Sequence, residues 1–387
     1  MSDPIDYDLH GFVGIRLLGA GPAEERLVTR QLGPIRAALG REPDITLRFV
    51  DRLELGGPLR LIGADDAGFR DDAFVVLRGK QKSRARVQLP LERAGDRCEI
   101  VCERGLAAVP HLVAIVNLTA LAHGVLPLHA SAFSWNGTGI LATGWAKGGK
   151  TEALLAFLSE GAAYVGDEWI YLAGEGPRMV GIPEPIRVWD WQLRETPWLG
   201  QRLGASTRAR LGALRALARP LAGLAGGRGA AARLARRVRP LVEAQRWVQL
   251  PPREFFGADR CVASALPEKL FLMASHESPE IVVRPIDARE VARRMVASLA
   301  FERAELVASY QKWLFAFPEA RNRWLDAAEA RERELLERTV GSLPAFEVLH
   351  PYPVSFRLLY EAMRPHCGHA LPRRTSSPAG LQRVAAV

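Results

Sequence analysis

The sequence predicts an α/β fold: a phosphate-binding loop on a strand-to-helix turn, with a β-rich segment before it and a more helical one after. Three observations carry that prediction. Gly144-Trp145-Ala146-Lys147-Gly148-Gly149-Lys150-Thr151 fits the pattern G-x-x-x-x-G-K-[ST] in full. The apolar run TGILATG leads into it, and helical periodicity follows, with Ala153, Leu154, Phe157 and Leu158 spaced by three and four. Short β-branched or alternating runs, punctuated by Gly, Pro and Asp, dominate residues 1–108.

Taken in order, DITLRFV, LRLIGA, FVVLRG, RARVQLPL and CEIVC read as strands of an N-terminal β-rich domain over 1–108. A helix over roughly 110–123 follows, interrupted by too many polar residues, Gly124 and Pro127 to be a membrane span. VLPLHASAFSW and TGILATG flank Asn136-Gly137, a strong hairpin signal. A helix starts at Lys150 and stops at Gly161; AAYVGDEWIYL reads as the next strand, and GIPEPIRVWDW as a loop ending in a short strand. These place the first part of the core at 109–196. An Arg-rich helical insert spans 197–250, with Pro220 and Gly226–Gly229 separating two leucine-striped pieces. Residues 251–368 complete the core: KLFLMA and IVVRPI as strands, a long helix from Asp287 to about Trp313, another over 319–340, then a last strand and helix. The Pro/Ser/Arg-rich tail over 369–387 is expected to be disordered.

Composition narrows the function classes. Hydrophobic residues make up 48% and charged residues 25% of the 387 positions, as in ordinary globular proteins. MSDPIDYDLH is acidic where an export signal needs positive charge, and four cysteines make no disulfide framework, so a reduced cytoplasmic protein is expected. His366 and Cys367 in HCGH lack the second Cys/His pair that a zinc site needs. The net charge of +9 is concentrated: Pro197 to Leu250 holds eleven arginines against Glu243 alone, a local +10, which leaves −1 for the rest.

The residue types of the loop follow from anion chemistry. Gly148 and Gly149 let backbone N–H groups turn inward, and the helix N-terminus adds its positive end. Lys150 supplies a mobile charge to the β- and γ-phosphates, the Thr151 hydroxyl ligates Mg²⁺, and Lys147 is a further candidate for phosphate contact. The loop does not encode the base, so ATP over GTP is a default. Only sixteen positions after Thr151 come two adjacent acids, Asp167 and Glu168. One carboxylate can orient and deprotonate an attacking hydroxyl, and another near Thr151 can hold the metal. Alternation puts them on opposite faces of a strand, so a bend near Gly166 is needed for both to serve.

With its acids so close behind the loop, the sequence resembles the HPr kinase/phosphorylase-like proteins, relatives of ATP-dependent phosphoenolpyruvate carboxykinase. His129 in LHASAF lies fifteen residues before Gly144, AYVGDE ends in the acid pair, and GIPEPIRVW closes on Arg187 and Trp189; all three features are similar to that family's. Together they cover Leu128 to about Trp191, about a sixth of the chain. The resemblance implies an HPr kinase-like core and Mg²⁺- and ATP-dependent transfer to a serine-type hydroxyl of a protein, peptide or small molecule. It implies Asp167 as the base, Glu168 nearer the metal, His129 close to the transferred phosphoryl and Arg187 against transition-state charge. Arg187 is equally placed to stack on Trp189. The second acid is Glu where HPr kinases have Asp, the glycine-rich segment tied to phosphorolysis is missing, and residues 1–108 do not resemble the family's N-terminal domain. HPr itself is therefore not the implied acceptor.

Two other readings stand beside this one. A nucleotide-responsive regulatory or assembly module would bind ATP without passing on its phosphate. The insert would be a solvated helical pair, a lid or docking surface for an acidic partner, or a membrane-surface element. Its aromatics, Trp198 and Trp247, lie only at its edges, which argues against nucleic acid. Oligomeric state is not encoded.

Overall fold

Eight strands laid side by side form the first sheet, and their order explains how the N-terminal segment reaches the core. The computed structural model describes residues 3–78, 84–173 and 178–368, so the tail expected to be disordered lies outside them. In chain order the first elements are β1 (Ile5–Leu9), β2 (Val13–Leu18), α1 (Pro22–Leu32), β3 (Ile45–Val50), β4 (Arg60–Ile62), β5 (Ala67–Arg70), β6 (Ala73–Arg78), β7 (Arg84–Gln88), β8 (Cys98–Glu103) and α2 (Leu112–Ala122). The sheet runs β1-β2-β3-β8-β7-β6-β5-β4, with β2, β3 and β8 parallel and the other pairings antiparallel. Cys98 and Cys102 are buried free thiols on β8. Helix α1 was not legible as such; Pro22 at its start and Glu24 bonding back to the Gly21 amide set its N-terminus.

The second part comprises β9 (Val125–Trp135), β10 (Thr138–Gly144), α3 (Lys150–Ser159), β11 (Ala163–Gly166), β12 (Trp169–Ala173), β13 (Met179–Gly181), β14 (Ile186–Trp189), α4 (Asp190–Glu195), α5 (Pro197–Arg202), α6 (Ala205–Ala225), α7 (Ala230–Glu243), β15 (Trp247–Leu250) and α8 (Pro252–Phe256). It closes with β16 (Lys269–Ser275), β17 (Val282–Ile286), α9 (Ala288–Glu302), α10 (Ala304–Ala316), α11 (Arg323–Val340), β18 (Ala345–His350) and α12 (Phe356–Met363). The second mixed sheet is ordered β13-β12-β9-β10-β16-β18-β17, with β11 beside β9, while β14 and β15 pair separately. The chain is thus a mixed α/β protein with more than one mixed sheet.

Strand β9 organises this sheet. It turns into β10 through Asn136 and Gly137, both at positive φ, as a tight hairpin requires. Strands β10, β16 and β18 run parallel, so their C-terminal ends gather the phosphate-loop segment, Met273 and His350 at one edge. One face of the sheet packs on α2, α9 and α11 in a buried cluster that continues into the first sheet through residues such as Leu47, Phe74 and Ile100. The other face packs on α3 and α12 around Phe133, Phe157, Phe271 and Leu359. Asn322 stitches the parts together: its side-chain oxygen caps α11, and its Nδ2 donates to the carbonyls of Leu91 and Ala94 near the first sheet.

Several elements differ from the expectations. The strand expected over AAYVGDEWIYL is two strands, broken at Asp167 and Glu168, with Glu168 at φ +63°. The long helix expected to Trp313 turns at Arg303, whose guanidinium pairs with the buried Glu332 of α11. The next helix begins at Arg323 because Asn322 caps it there. Pro220 does not divide the insert. It sits inside α6, where it forfeits one backbone bond, and the break comes at the glycine run ending in Gly229 at φ +101°.

Candidate phosphate-transfer site

The site is built where β10 ends and α3 begins. Gly144 at φ +146° and Gly149 at φ +108° let the loop double back on itself. A Cβ on Gly144 would stand 2.4 Å from the Met273 carbonyl oxygen, and one on Gly149 would stand 2.1 Å from Nε2 of His350. His350 is fully buried beneath the loop, its Nε2 2.9 Å from the Gly148 carbonyl oxygen and its Nδ1 2.8 Å from that of Pro351. The parallel neighbours β16 and β18 thereby hold the loop's shape.

Lys150, the first residue of α3, is 5% exposed, and its ammonium donates to the carbonyls of Gly144 (3.3 Å) and Trp145 (2.9 Å). Burial lowers its pKa, against the pull of Glu168 and Asp167. Trp145 and Lys147 are exposed on the loop, and Ala146 and Gly148 are half-buried. The Trp145 ring lies 4.9 Å from that of Phe301 on α9, with both rings more than half exposed.

The two adjacent acids part company. Asp167 is 2% exposed; its Oδ2 accepts from the Thr151 hydroxyl at 3.0 Å and its Oδ1 from Ser131. Burial, and then the nearby Glu168 charge, push its carboxyl up to about 7. The Glu168 side chain is half exposed, and its Oε2 lies 3.1 Å from His129 Nε2. That hydrogen bond holds the Glu168 carboxyl below its usual range. Where the resemblance implied Glu168 beside Thr151, the structure has Asp167 there. The reason is local: the chain turns at Glu168, at φ +63°, and its carboxylate pairs with His129 and not with Thr151.

His129 is buried on β9, directly opposite Trp169 on β12, whose ring stacks on it at 5.6 Å. Its Nδ1 stands 2.8 Å from Glu302 Oε1. Burial opposes a charge on the imidazole, but the hydrogen bond to Glu168 and the close Glu302 carboxylate outweigh it and raise the pKa. Glu302 is correspondingly held low by His129. Arg187 is exposed on β14, with its guanidinium 4.5 Å over the ring of Trp247 on β15 rather than over Trp189, and its charge helps hold the Glu168 carboxyl low. Glu184 was missed as well; burial and the charges of Glu168 and Asp167 push its carboxyl up to about 8.

The site therefore has two sides. Thr151, Asp167 and Ser131 offer hard oxygen donors beside the loop, of the kind Mg²⁺ takes. Glu168, His129 and Glu302 form a charged relay beside them, within electrostatic reach of Lys150. Ser131 had a signal in the sequence, since it lies two positions from His129 on the same strand face. Glu302 had none, because it reaches His129 only through the turn at Arg303. The insert forms the α6/α7 hairpin, anchored by Arg215 and Arg246 on the buried Asp190. Among the described residues, no helix is long and apolar enough to cross a membrane. No family model matches the chain, and no curated protein is significantly similar to it.

Proposed function

We propose that this chain is a phosphotransferase of the HPr kinase-like kind, moving the γ-phosphoryl of ATP to a hydroxyl. The observation that carries the reading is the different partners of two neighbouring acids: Asp167 bonded to the loop's Thr151, and Glu168 paired with His129. A phosphate loop alone fits any nucleotide-binding protein. A second, half-exposed carboxylate held ready by a histidine fits one that activates an acceptor.

In this reading Lys150 and the loop amides hold the phosphates. The Thr151 hydroxyl and Asp167 are the donors that would hold Mg²⁺, which neutralises charge on the β- and γ-oxygens when bound. The roles implied by the resemblance are thus exchanged between the two acids. Glu168, accessible and ionised, accepts the proton of the attacking hydroxyl. His129 keeps Glu168 oriented, and Glu302 supports His129 from behind, so the relay arrives pre-set. Trp145 and Phe301 at the loop mouth form an apolar face suited to the nucleotide base. HPr is not proposed as the acceptor.

The test is transfer of label from γ-³²P-ATP to components of a fractionated extract holding metabolites and peptides. The reading expects a labelled product with wild type and none with Lys150→Ala. An extract that stays unlabelled under conditions where the protein binds ATP would leave a nucleotide-responsive module instead.

A further inference from the structure

The outward side of Glu168 opens into a cavity of about 940 Å³, and none of the loop residues 144–151 line it. Its walls come from both sheets' surroundings: Asp66 and Val76 of the N-terminal sheet, α2, the β14 segment, and the start of α10. Glu168, Trp169 and Glu302 form one end. A ligand there meets the Glu168 carboxylate, whose charge also reaches Lys150 at the start of α3, so an acceptor hydroxyl held at Glu168 stands toward the phosphate end of the site. A volume of this size suits a small molecule.

The charges in the wall are unevenly satisfied. Each of its cations is already engaged: Arg303 by Glu332, Lys312 by Asp66 at 3.3 Å, Arg78 by Asp65, and Arg187 by the face of Trp247. The carboxylates are in surplus. Glu184 has no hydrogen-bond or ion-pair partner among the described residues. Glu332 is 3% exposed and lines the cavity, and its Oε2 is buried without a partner while Oε1 holds Arg303. Buried carboxylate oxygens without donors are costly, and a ligand that brings donors and positive charge relieves that cost. Trp169 adds an aromatic face beside them, the partner an ammonium favours.

We propose that this cavity is the acceptor site and that its ligand is a small hydroxylated amine, such as an amino alcohol or amino sugar, with its ammonium toward Glu184 and its hydroxyl at Glu168. The inference rests on the kinase reading for the reaction but not for the binding. In the reaction the acceptor oxygen forms a bond to the γ-phosphorus. The bond from that phosphorus to the β,γ-bridging oxygen breaks with its electron pair leaving on ADP, and the hydroxyl proton passes to Glu168 and then to solvent.

A matched set of sugars tests it: glucosamine, N-acetylglucosamine and glucuronate, titrated calorimetrically into the full chain without nucleotide, followed by ³¹P NMR with MgATP. The expected result is glucosamine binding at least tenfold tighter than its neutral N-acetyl form, no binding of glucuronate, and loss of the preference in Glu184→Gln. Glu184→Gln removes an unpartnered carboxylate, so it is expected to fold; Glu332→Gln provides a second variant with the same expected loss of preference. Equal binding of the three sugars, binding of none, or a preference that survives both variants overturns the proposal. Glucosamine binding without a phosphorylated product would sink the kinase reading and leave the cation site standing.

Discussion

The Thr151 hydroxyl donates to Asp167 Oδ2 at 3.0 Å, joining the first turn of α3 to the break between β11 and β12. This bond fixes which of two adjacent acids belongs to the phosphate loop. Glu168 pairs with His129 instead, and the proposed roles of the two acids depend on that division.

Lys150 is a buried ammonium whose pKa burial depresses. Lys150→Met removes that burden and keeps the aliphatic stem. The variant is expected to melt at a higher temperature than wild type without nucleotide. Its ATP dissociation constant should rise at least tenfold, about 1.4 kcal/mol. Calorimetric melting and nucleotide titration check both halves.

Gly149→Ala meets two obstacles, a left-handed φ of +108° and His350 Nε2 at 2.1 Å from the new Cβ. A destabilisation of roughly 1–3 kcal/mol is expected, together with loss of nucleotide binding as His350 is displaced. The companion His350→Ala, Gly149→Ala double variant should recover part of the stability. Urea unfolding of these two variants and of His350→Ala alone measures this, and equal costs for Gly149→Ala with and without His350 would refute the contact.

Asp167 sets a pH dependence in the metal-free protein. Its carboxyl titrates at about 7 when folded and near 3.8 when unfolded, so the folded chain binds the proton more tightly in between. Stability contributed by this group is therefore present at low pH and declines as pH rises from about 4 through about 7. In EDTA, Asp167→Asn should flatten that decline, with its largest stabilisation relative to wild type above pH 7. Melting temperatures from pH 5 to 8 provide the check.

Asp190 is 2% exposed and carries Arg215 on one oxygen and Arg246 on the other, at 2.7 and 2.5 Å. Asp190→Asn should loosen the α6/α7 hairpin from the body, at a cost of about 1–3 kcal/mol after allowing for the partly exposed Arg215. Trypsin is expected to cut at hairpin arginines such as Arg228 and Arg233 several-fold faster, with ATP affinity preserved.

How far the sequence could be read depended on the range of the interactions involved. The phosphate loop, the hairpin at Asn136-Gly137 and the helix from Lys150 are set by local backbone chemistry, and all three elements appear where local patterns placed them. The end of one strand and start of another at Asp167-Glu168 was read as a single strand because apolar residues flank it on both sides. Only the left-handed turn at Glu168 reveals it. Glu302 and His350 each act through partners more than a hundred positions away, and no spacing rule reports such contacts; Glu184 makes itself felt only through burial and the charges of Glu168 and Asp167. Arg187 was read with its sequence neighbour Trp189, whereas strand pairing offers it Trp247 instead.

Metal binding to the nucleotide complex separates the two acids without any knowledge of the acceptor. Mn²⁺, used in place of Mg²⁺, can be titrated into the ADP-bound protein and followed by electron paramagnetic resonance for wild type, Asp167→Asn and Glu168→Gln. The account predicts at least a tenfold weaker Mn²⁺ site in Asp167→Asn and a change within about twofold in Glu168→Gln. The reverse pattern, with Glu168→Gln losing the metal and Asp167→Asn retaining it, would contradict the assignment on which the mechanism stands.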